Sequence, residues 1–99
     1  MDIEHWRKEI DEVDVELLRL LNVRARLALK VGALKKARAL PIPDPERERL
    51  VLQRLKELNS GPLDQRAVDK LFRRIIRESR RIQTNADVSS EFVRSRKVS

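Results

Sequence analysis

The 99-residue chain contains no cysteine and a single histidine, His5. Disulfides and thiolate metal sites are therefore excluded, and neither a histidine-based metal site nor a serine–histidine nucleophile pair is expected. The sequence also lacks an apolar run near the roughly 20 residues that span a membrane, and its charged N-terminus is unlike a signal peptide. These absences favour a soluble cytoplasmic protein.

Glycine and aromatic residues are also scarce, with two glycines, three aromatics and no tyrosine. No alternating β-branched segment indicates a strand. Charged residues make up 39% of the chain, and strong helix formers dominate, which is typical of long helices. We therefore expect one all-α domain. The net charge of +7 is compatible with nucleic acid, a small anionic ligand or merely a basic surface.

The first helix is predicted from apolar residues that recur every three or four positions from Ile3 to Leu34. No proline interrupts this segment up to about Arg38, so the helix should have about 35 residues and a length of about 52 Å. A compact domain of this size has a diameter of only about 34 Å. Because the apolar stripe continues through the excess length, we expect an intertwined homodimer.

Prolines divide the next part of the chain. The LPIP run at 40–43 should be extended, because the residue before a proline avoids the helical conformation. Asp44 then caps a second helix with Pro45 in its first turn, where a missing N–H costs nothing. The NSGP run at 59–62 ends that helix.

A third helix is predicted from about Gln65 to Gln83, with Asp64 as its cap. The segment 84–99 has no sustained apolar period and is expected to be a disordered tail. The prediction is thus three helices, with a helical domain at 1–83 and a tail at 84–99.

Polar residues interrupt the apolar stripes of the first and third helices. Arg24 and Lys35 lie 11 residues apart, so they share a face at an axial spacing of about 16 Å. Ser79 and Gln83 occupy apolar positions of the third helix. Alone, each has an ordinary explanation: the cations extend to solvent, Ser79 bonds back to a carbonyl, and Gln83 marks a fraying end.

The DPERE run at 44–48 likewise places charged residues beside the apolar face of the second helix. Arg47 and Glu48 share faces with its apolar residues, whereas Glu46 and Arg49 should face solvent. The ordinary explanations are an N-cap role for Asp44 and a favourable helix dipole for Glu48. One pocket lined by these cations, a carboxylate and an amide explains all the anomalies together. It suits a small molecule with at least two carboxylates and a hydroxyl, and without metal or nucleophile it would act by positioning and electrostatics.

The chain resembles the AroQ-class, all-helical chorismate mutases in three blocks that occur in order over about residues 3–83. These blocks are WRKEIDEVDVELLRLLNVRARLALKVGALKK, PIPDPERE and LFRRIIRESRRIQ. The resemblance implies a Claisen-type rearrangement of chorismate to prephenate in phenylalanine and tyrosine biosynthesis, with no cofactor and no covalent intermediate.

The resemblance also implies roles for the pocket residues. Arg7 would reach a substrate carboxylate from the other subunit, and Arg24 would bind one within the same chain. Lys35 and Gln83 would hydrogen-bond the ether oxygen of the breaking bond, and Glu48 would hold the substrate hydroxyl. The supporting pocket positions would be Asp44, Arg47 and Ser79.

Two alternatives remain at this stage. Isochorismate-pyruvate lyases share the fold, but those relatives lack the acidic residues of the D-x-x-R-E block at 44–48. The other alternative is a basic helical dimer that binds nucleic acid. Its five arginines should lie on a solvated face without interleaved aromatics, which disfavours it; they are Arg73, Arg74, Arg77, Arg80 and Arg81.

Overall fold

Three helices form the part of the protein that the computed structural model describes, residues 2–85. They are α1 (Ile3–Ala37), α2 (Pro45–Leu58) and α3 (Gln65–Asn85), and no strand occurs within 2–85. The predicted all-α fold with one very long helix is confirmed. α3 runs two residues beyond the predicted end at Gln83, because no glycine or proline stops it there. The rest of the predicted tail, 86–99, lies outside the described residues.

Aspartate residues cap all three helices. In each case the carboxylate accepts a hydrogen bond from a backbone N–H of the first turn, a group that has no partner within the helix. In α2 the cap is followed by Pro45, which needs no such partner. The capping bonds run to Asp2 from His5 (3.0 Å), to Asp44 from Arg47 (3.1 Å) and to Asp64 from Ala67 (2.8 Å).

The C-terminal end of α1 has a left-handed residue that is not glycine. Ala39 has a φ of 55°, and its N–H donates to the Lys36 carbonyl at 3.2 Å. The N–H of Leu40 donates to the Lys35 carbonyl at 2.8 Å. This pair of bonds is a Schellman motif, which turns the chain sharply out of α1 into the LPIP segment.

Packing within one chain covers little of the apolar surface. α3 packs against both α1 and α2, and the buried apolar side chains within residues 2–85 are Ala28 and Ile76. Every residue from 2 to 22 is exposed, so the first half of α1 extends away from the other helices. The radius of gyration is 16.8 Å and the extents are 53 × 35 × 16 Å. A compact chain of this length would have a radius near 13 Å.

None of the three helices is at once long and apolar enough to cross a membrane.

Candidate active site

A cavity of about 310 Å³ lies where the second half of α1 meets the start of α2 and the end of α3. Its apolar wall includes Leu27, Val31, Val51 and Ile76. Seven of the eight predicted site residues also line it: Arg24, Lys35, Asp44, Arg47, Glu48, Ser79 and Gln83. Three sequence blocks that are far apart along the chain therefore meet in one place.

Arg7, the eighth predicted residue, does not line this cavity. It lies in the exposed first half of α1, where its guanidinium pairs with Glu4 at 2.9 Å. Both side chains of that pair are mostly exposed, so the pair contributes little to stability. Arg7 is therefore free to exchange Glu4 for another carboxylate at small cost.

Arg24 joins α1 to α3 at one end of the cavity. Its Nη1 donates a hydrogen bond to Ser79 Oγ, and that hydroxyl in turn donates to the Ile75 carbonyl at 3.1 Å. Ser79 thus bonds back to its own helix, as the ordinary explanation has it, and also accepts from Arg24. Burial lowers the pKa of Arg24, and the nearby charge of Arg47 lowers that pKa further. A guanidinium nevertheless keeps its charge, so an anion entering here would relieve an unfavourable environment.

Lys35 lies near the other end of the α1 face. Its Nζ donates to the Ile42 carbonyl at 2.8 Å. Ile42 lies between Pro41 and Pro43, so the extended LPIP segment holds this carbonyl against the lysine. An ammonium group has three N–H donors, and two remain available for a ligand.

Gln83 is the one buried polar residue within 2–85. Its Nε2 donates to the Ala28 carbonyl at 3.2 Å, which leaves the second N–H of the amide for a ligand. Gly32 makes this position possible: a Cβ on Gly32 would lie 3.1 Å from both Cβ and Cγ of Gln83. The glycine therefore sets how closely α3 approaches α1 at the cavity.

The DPERE run divides between the cavity and solvent. Asp44 caps α2 and also lines the cavity, together with Arg47 and Glu48. Glu46 and Arg49 instead pair with each other at 2.7 Å on the exposed side, and the Arg49 hydrogen bond and charge lower the pKa of Glu46.

Arg80 is the residue that sequence reasoning places wrongly. The pattern of arginines predicts it on the solvated face of the third helix, but it lines the cavity and pairs with Glu48 at 3.2 Å. Helical spacing contains the signal, since Arg80 follows the buried Ile76 by four residues and precedes the buried Gln83 by three. The run of arginines around it hides that signal.

The lining of the cavity carries a net positive charge, which favours anions. Four cationic side chains and two carboxylates line it, an excess of two positive charges. No group of three or more histidine, cysteine or acidic residues within 2–85 could hold a metal ion. The lining can clamp a compact dianion and donate hydrogen bonds from Lys35 and Gln83.

Comparison with known proteins agrees with this picture. The family model described as "Chorismate mutase type II" matches residues 6–84. The chorismate mutase (Form II) of Thermus thermophilus shares 39% identity with a TM-score of 0.84, over 86% of this chain and 97% of that one. The chorismate mutase of Helicobacter pylori, solved in complex with prephenate, shares 34% identity with a TM-score of 0.78, over 84% of this chain and 90% of that one.

A longer relative is similar over the same region. The bifunctional chorismate mutase/prephenate dehydratase of Aquifex aeolicus is 43% identical over 79 residues, which are 76% of this chain and 22% of the relative. The chain thus spans about a fifth of the length of the bifunctional relatives it matches.

Proposed function

The chain belongs to the chorismate mutase type II family, and we propose that it catalyses the rearrangement of chorismate to prephenate. The family predicted from the three sequence blocks is confirmed. The observation that carries the proposed activity is the single cavity that collects Arg24, Lys35, Glu48 and Gln83 from three helices. The prephenate complex of the Helicobacter pylori relative supports the same substrate class.

The proposed mechanism begins with conformational restraint. Chorismate carries two carboxylates, and its extended form must become compact before the reacting carbons meet. Arg24 takes one carboxylate, with Ser79 and Arg47 beside it, and a second arginine takes the other. Because both ends are already held in the reactive conformer, the entropic part of the activation free energy is lower when the bond breaks.

Electrostatic stabilisation is the second part. As the C–O bond breaks, negative charge grows on the ether oxygen. The free N–H groups of Lys35 and Gln83 are fixed by their bonds to the Ile42 and Ala28 carbonyls, so they need little reorganisation. They stabilise the transition state more than the ground state, which is the condition for rate enhancement.

Glu48 supplies the substrate hydroxyl contact in this proposal. A carboxylate accepts hydrogen bonds only, so it suits a hydroxyl and disfavours an anion at that position. Asp44 supports the same rim, where its carboxylate also holds the first turn of α2 in place.

We propose that the enzyme is a homodimer in which Arg7 comes from the second copy. Arg7 and Lys35 are 28 residues apart, about 42 Å along one helix, so one copy cannot bring both to one small ligand. The exposed apolar residues of the first half of α1 support the second copy. They are Ile3, Trp6, Ile10, Val13 and Leu17, each at least 52% exposed in one chain.

The activity is tested by offering chorismate and isochorismate separately to the purified chain. We expect prephenate from chorismate, detected by its conversion to phenylpyruvate in acid. Pyruvate released from isochorismate, without prephenate from chorismate, would show instead a lyase of the same fold. Salt-sensitive duplex binding without either activity would favour the nucleic-acid alternative.

The shared site is tested by mixing two inactive variants. Arg7→Ala and Lys35→Ala each damage a different part of every site in their own homodimer. In a heterodimer one of the two sites combines both intact residues, so we expect part of the activity to return. Proven subunit exchange with no recovery would contradict the donation of Arg7.

The cytoplasmic location and the boundary between helical domain and tail remain predictions. Cell fractionation and limited proteolysis test them, respectively.

A further inference from the structure

One ion pair differs from the others in what it connects. Within residues 2–85, six of the seven ion pairs join residues three or four apart on one helix. The seventh joins Glu48 of α2 to Arg80 of α3 at 3.2 Å. Its carboxylate side chain is 26% exposed, the lowest value among the acids of these pairs. The pair is therefore screened less by water than the surface pairs.

The geometry of the pair leaves Glu48 able to turn. Arg80 Nε is closed off from solvent and makes no well-directed hydrogen bond, although Glu48 Oε2 is within ion-pair distance. The charges attract at 3.2 Å, but the N–H does not point along the line between the two atoms. Attraction without a directed bond holds the carboxylate nearby while its other oxygen, Oε1, remains available.

A second groove gives Glu48 another direction in which to turn. This outer groove of about 310 Å³ lies between α2 and α3, and it shares Glu48, Ile76 and Arg80 with the cavity. Its other cations are Arg49, Arg73 and Arg77. They would compete with the other cations of the cavity for a Glu48 carboxylate that had lost Arg80, so that carboxylate would no longer be held in one place at the cavity wall.

We propose that Arg80 is a positioning residue: it holds the Glu48 carboxylate at the wall of the cavity so that the free oxygen accepts the substrate hydroxyl. The inference rests on the proposed function and deepens it. Arg80 acts through Glu48 and does not take part in the bond-breaking step. The pair also closes the wall between the cavity and the outer groove.

The experiment compares Arg80→Gln with Arg77→Gln, which removes the same charge one turn earlier on α3. Steady-state kcat and KM for chorismate are measured at constant ionic strength. We expect Arg80→Gln to lower kcat/KM about tenfold, the effect of one lost charge-assisted contact. Arg77→Gln should stay within about twofold of the starting protein, since it lines only the outer groove. Arg80→Lys should recover part of the loss because the positive charge remains.

A double-mutant cycle separates positioning from a structural role. Once Glu48→Gln has removed the carboxylate, adding Arg80→Gln should cost less than about twofold more, because there is nothing left to position. A chorismate analogue that lacks the hydroxyl should likewise react equally well with the starting protein and with Arg80→Lys. Denaturant unfolding of each variant shows whether the fold is kept, and the analogue comparison decides the case if Arg80→Gln does not fold.

Several results would overturn the inference. If the enzyme is active and Arg80→Gln and Arg77→Gln have equal activities, the positioning role of Arg80 is refuted and the proposed function still stands. A tenfold loss that persists in the Glu48→Gln background would show that Arg80 acts independently of Glu48. Absence of prephenate formation by the unaltered protein would refute the proposed function together with this inference.

Discussion

The two halves of α1 carry the same amphipathic pattern but have opposite surroundings. In residues 23–37 the inward face is covered by α3, Ala28 and Gly32 are buried, and the cavity lies alongside. In residues 2–22 the same kind of face is exposed, although it carries Trp6 and several large aliphatic side chains. The second half thus obtains its packing from its own chain, and the first half needs another source.

This difference shows where one chain stops being sufficient. A small domain with two buried apolar side chains in its described part has too little burial to offset the entropy of ordering about 80 residues. The exposed half of α1 is the surface that a second copy would cover. Assembly and catalysis would then be connected, because the same half carries Arg7, the residue proposed to come from the second copy.

The largest effect should come from a substitution in the apolar stripe of the exposed half of α1. Leu17→Glu puts a carboxylate into the stripe, losing about 2 kcal/mol of burial per copy and adding the cost of desolvating a charge. We expect monomers in analytical ultracentrifugation and loss of mutase activity. Val15→Glu is the matched control, because Val15 lies about 200° around the helix from Leu17. A dimer that survives Leu17→Glu would show that this stripe is not the interface.

The next effect concerns the packed half. Lys35→Ala removes the proposed donor to the ether oxygen and should lower kcat about a hundredfold or more while the proposed dimer remains folded. Lys30→Ala, an exposed lysine of the same half outside the cavity, should have almost no effect. The rates of prephenate formation by the two variants are compared at equal protein concentration. Similar activities of the two variants would remove Lys35 from the site.

A smaller effect is expected from the contact that brings α3 close to this half. Gly32→Ala places a methyl group 3.1 Å from Gln83, so either the amide or the helix must shift. Helix propensity alone would stabilise the variant by about 1 kcal/mol, but crowding of this kind costs about 1–3 kcal/mol. We expect lower stability in urea and a kcat reduced about tenfold through displacement of Gln83. Higher stability with unchanged kcat would show that the two helices are loosely packed.

The smallest effect is expected at the C-terminal end of α1, where the packed half ends. Ala39 occupies a left-handed position that glycine adopts without strain, so Ala39→Gly should stabilise the protein by about 0.5–1 kcal/mol and leave kcat unchanged. Ala37→Gly, within the helix, should instead destabilise it by up to about 1 kcal/mol. Thermal unfolding of both variants gives the sign. If both substitutions lowered the stability, the backbone strain at Ala39 would be negligible.

Much of the fold and the cavity followed from local patterns. Caps, prolines and apolar periodicity predicted the three helices to within two residues at the ends seen in the structure. Polar interruptions such as Arg24, Lys35 and Gln83 identified residues that do line one cavity, because a polar group on an apolar stripe needs a partner. Their catalytic roles stay predictions until the variants are measured.

Other features depended on contacts between helices and could not be deduced from one stripe at a time. The arginines around Arg80 indicate a solvated position, yet Glu48 on another helix draws it to the cavity wall. The bonds from Lys35 to Ile42 and from Gln83 to Ala28 pair side chains with carbonyls, and sequence gives no sign of which carbonyl is near. Gly32 resembles any tolerated helix glycine until α3 is seen against it.

The sequence by itself determined the helices, their apolar faces and the family, and it led us to expect a second copy. The helices and their faces follow from local propensity, the family from its resemblance in three sequence blocks, and the expected second copy from the length of one helix. Tertiary structure alone decided which polar side chains meet, at what distance and with which backbone partner. The physical reason is that a helix specifies a face, whereas the packing of three helices specifies what that face touches.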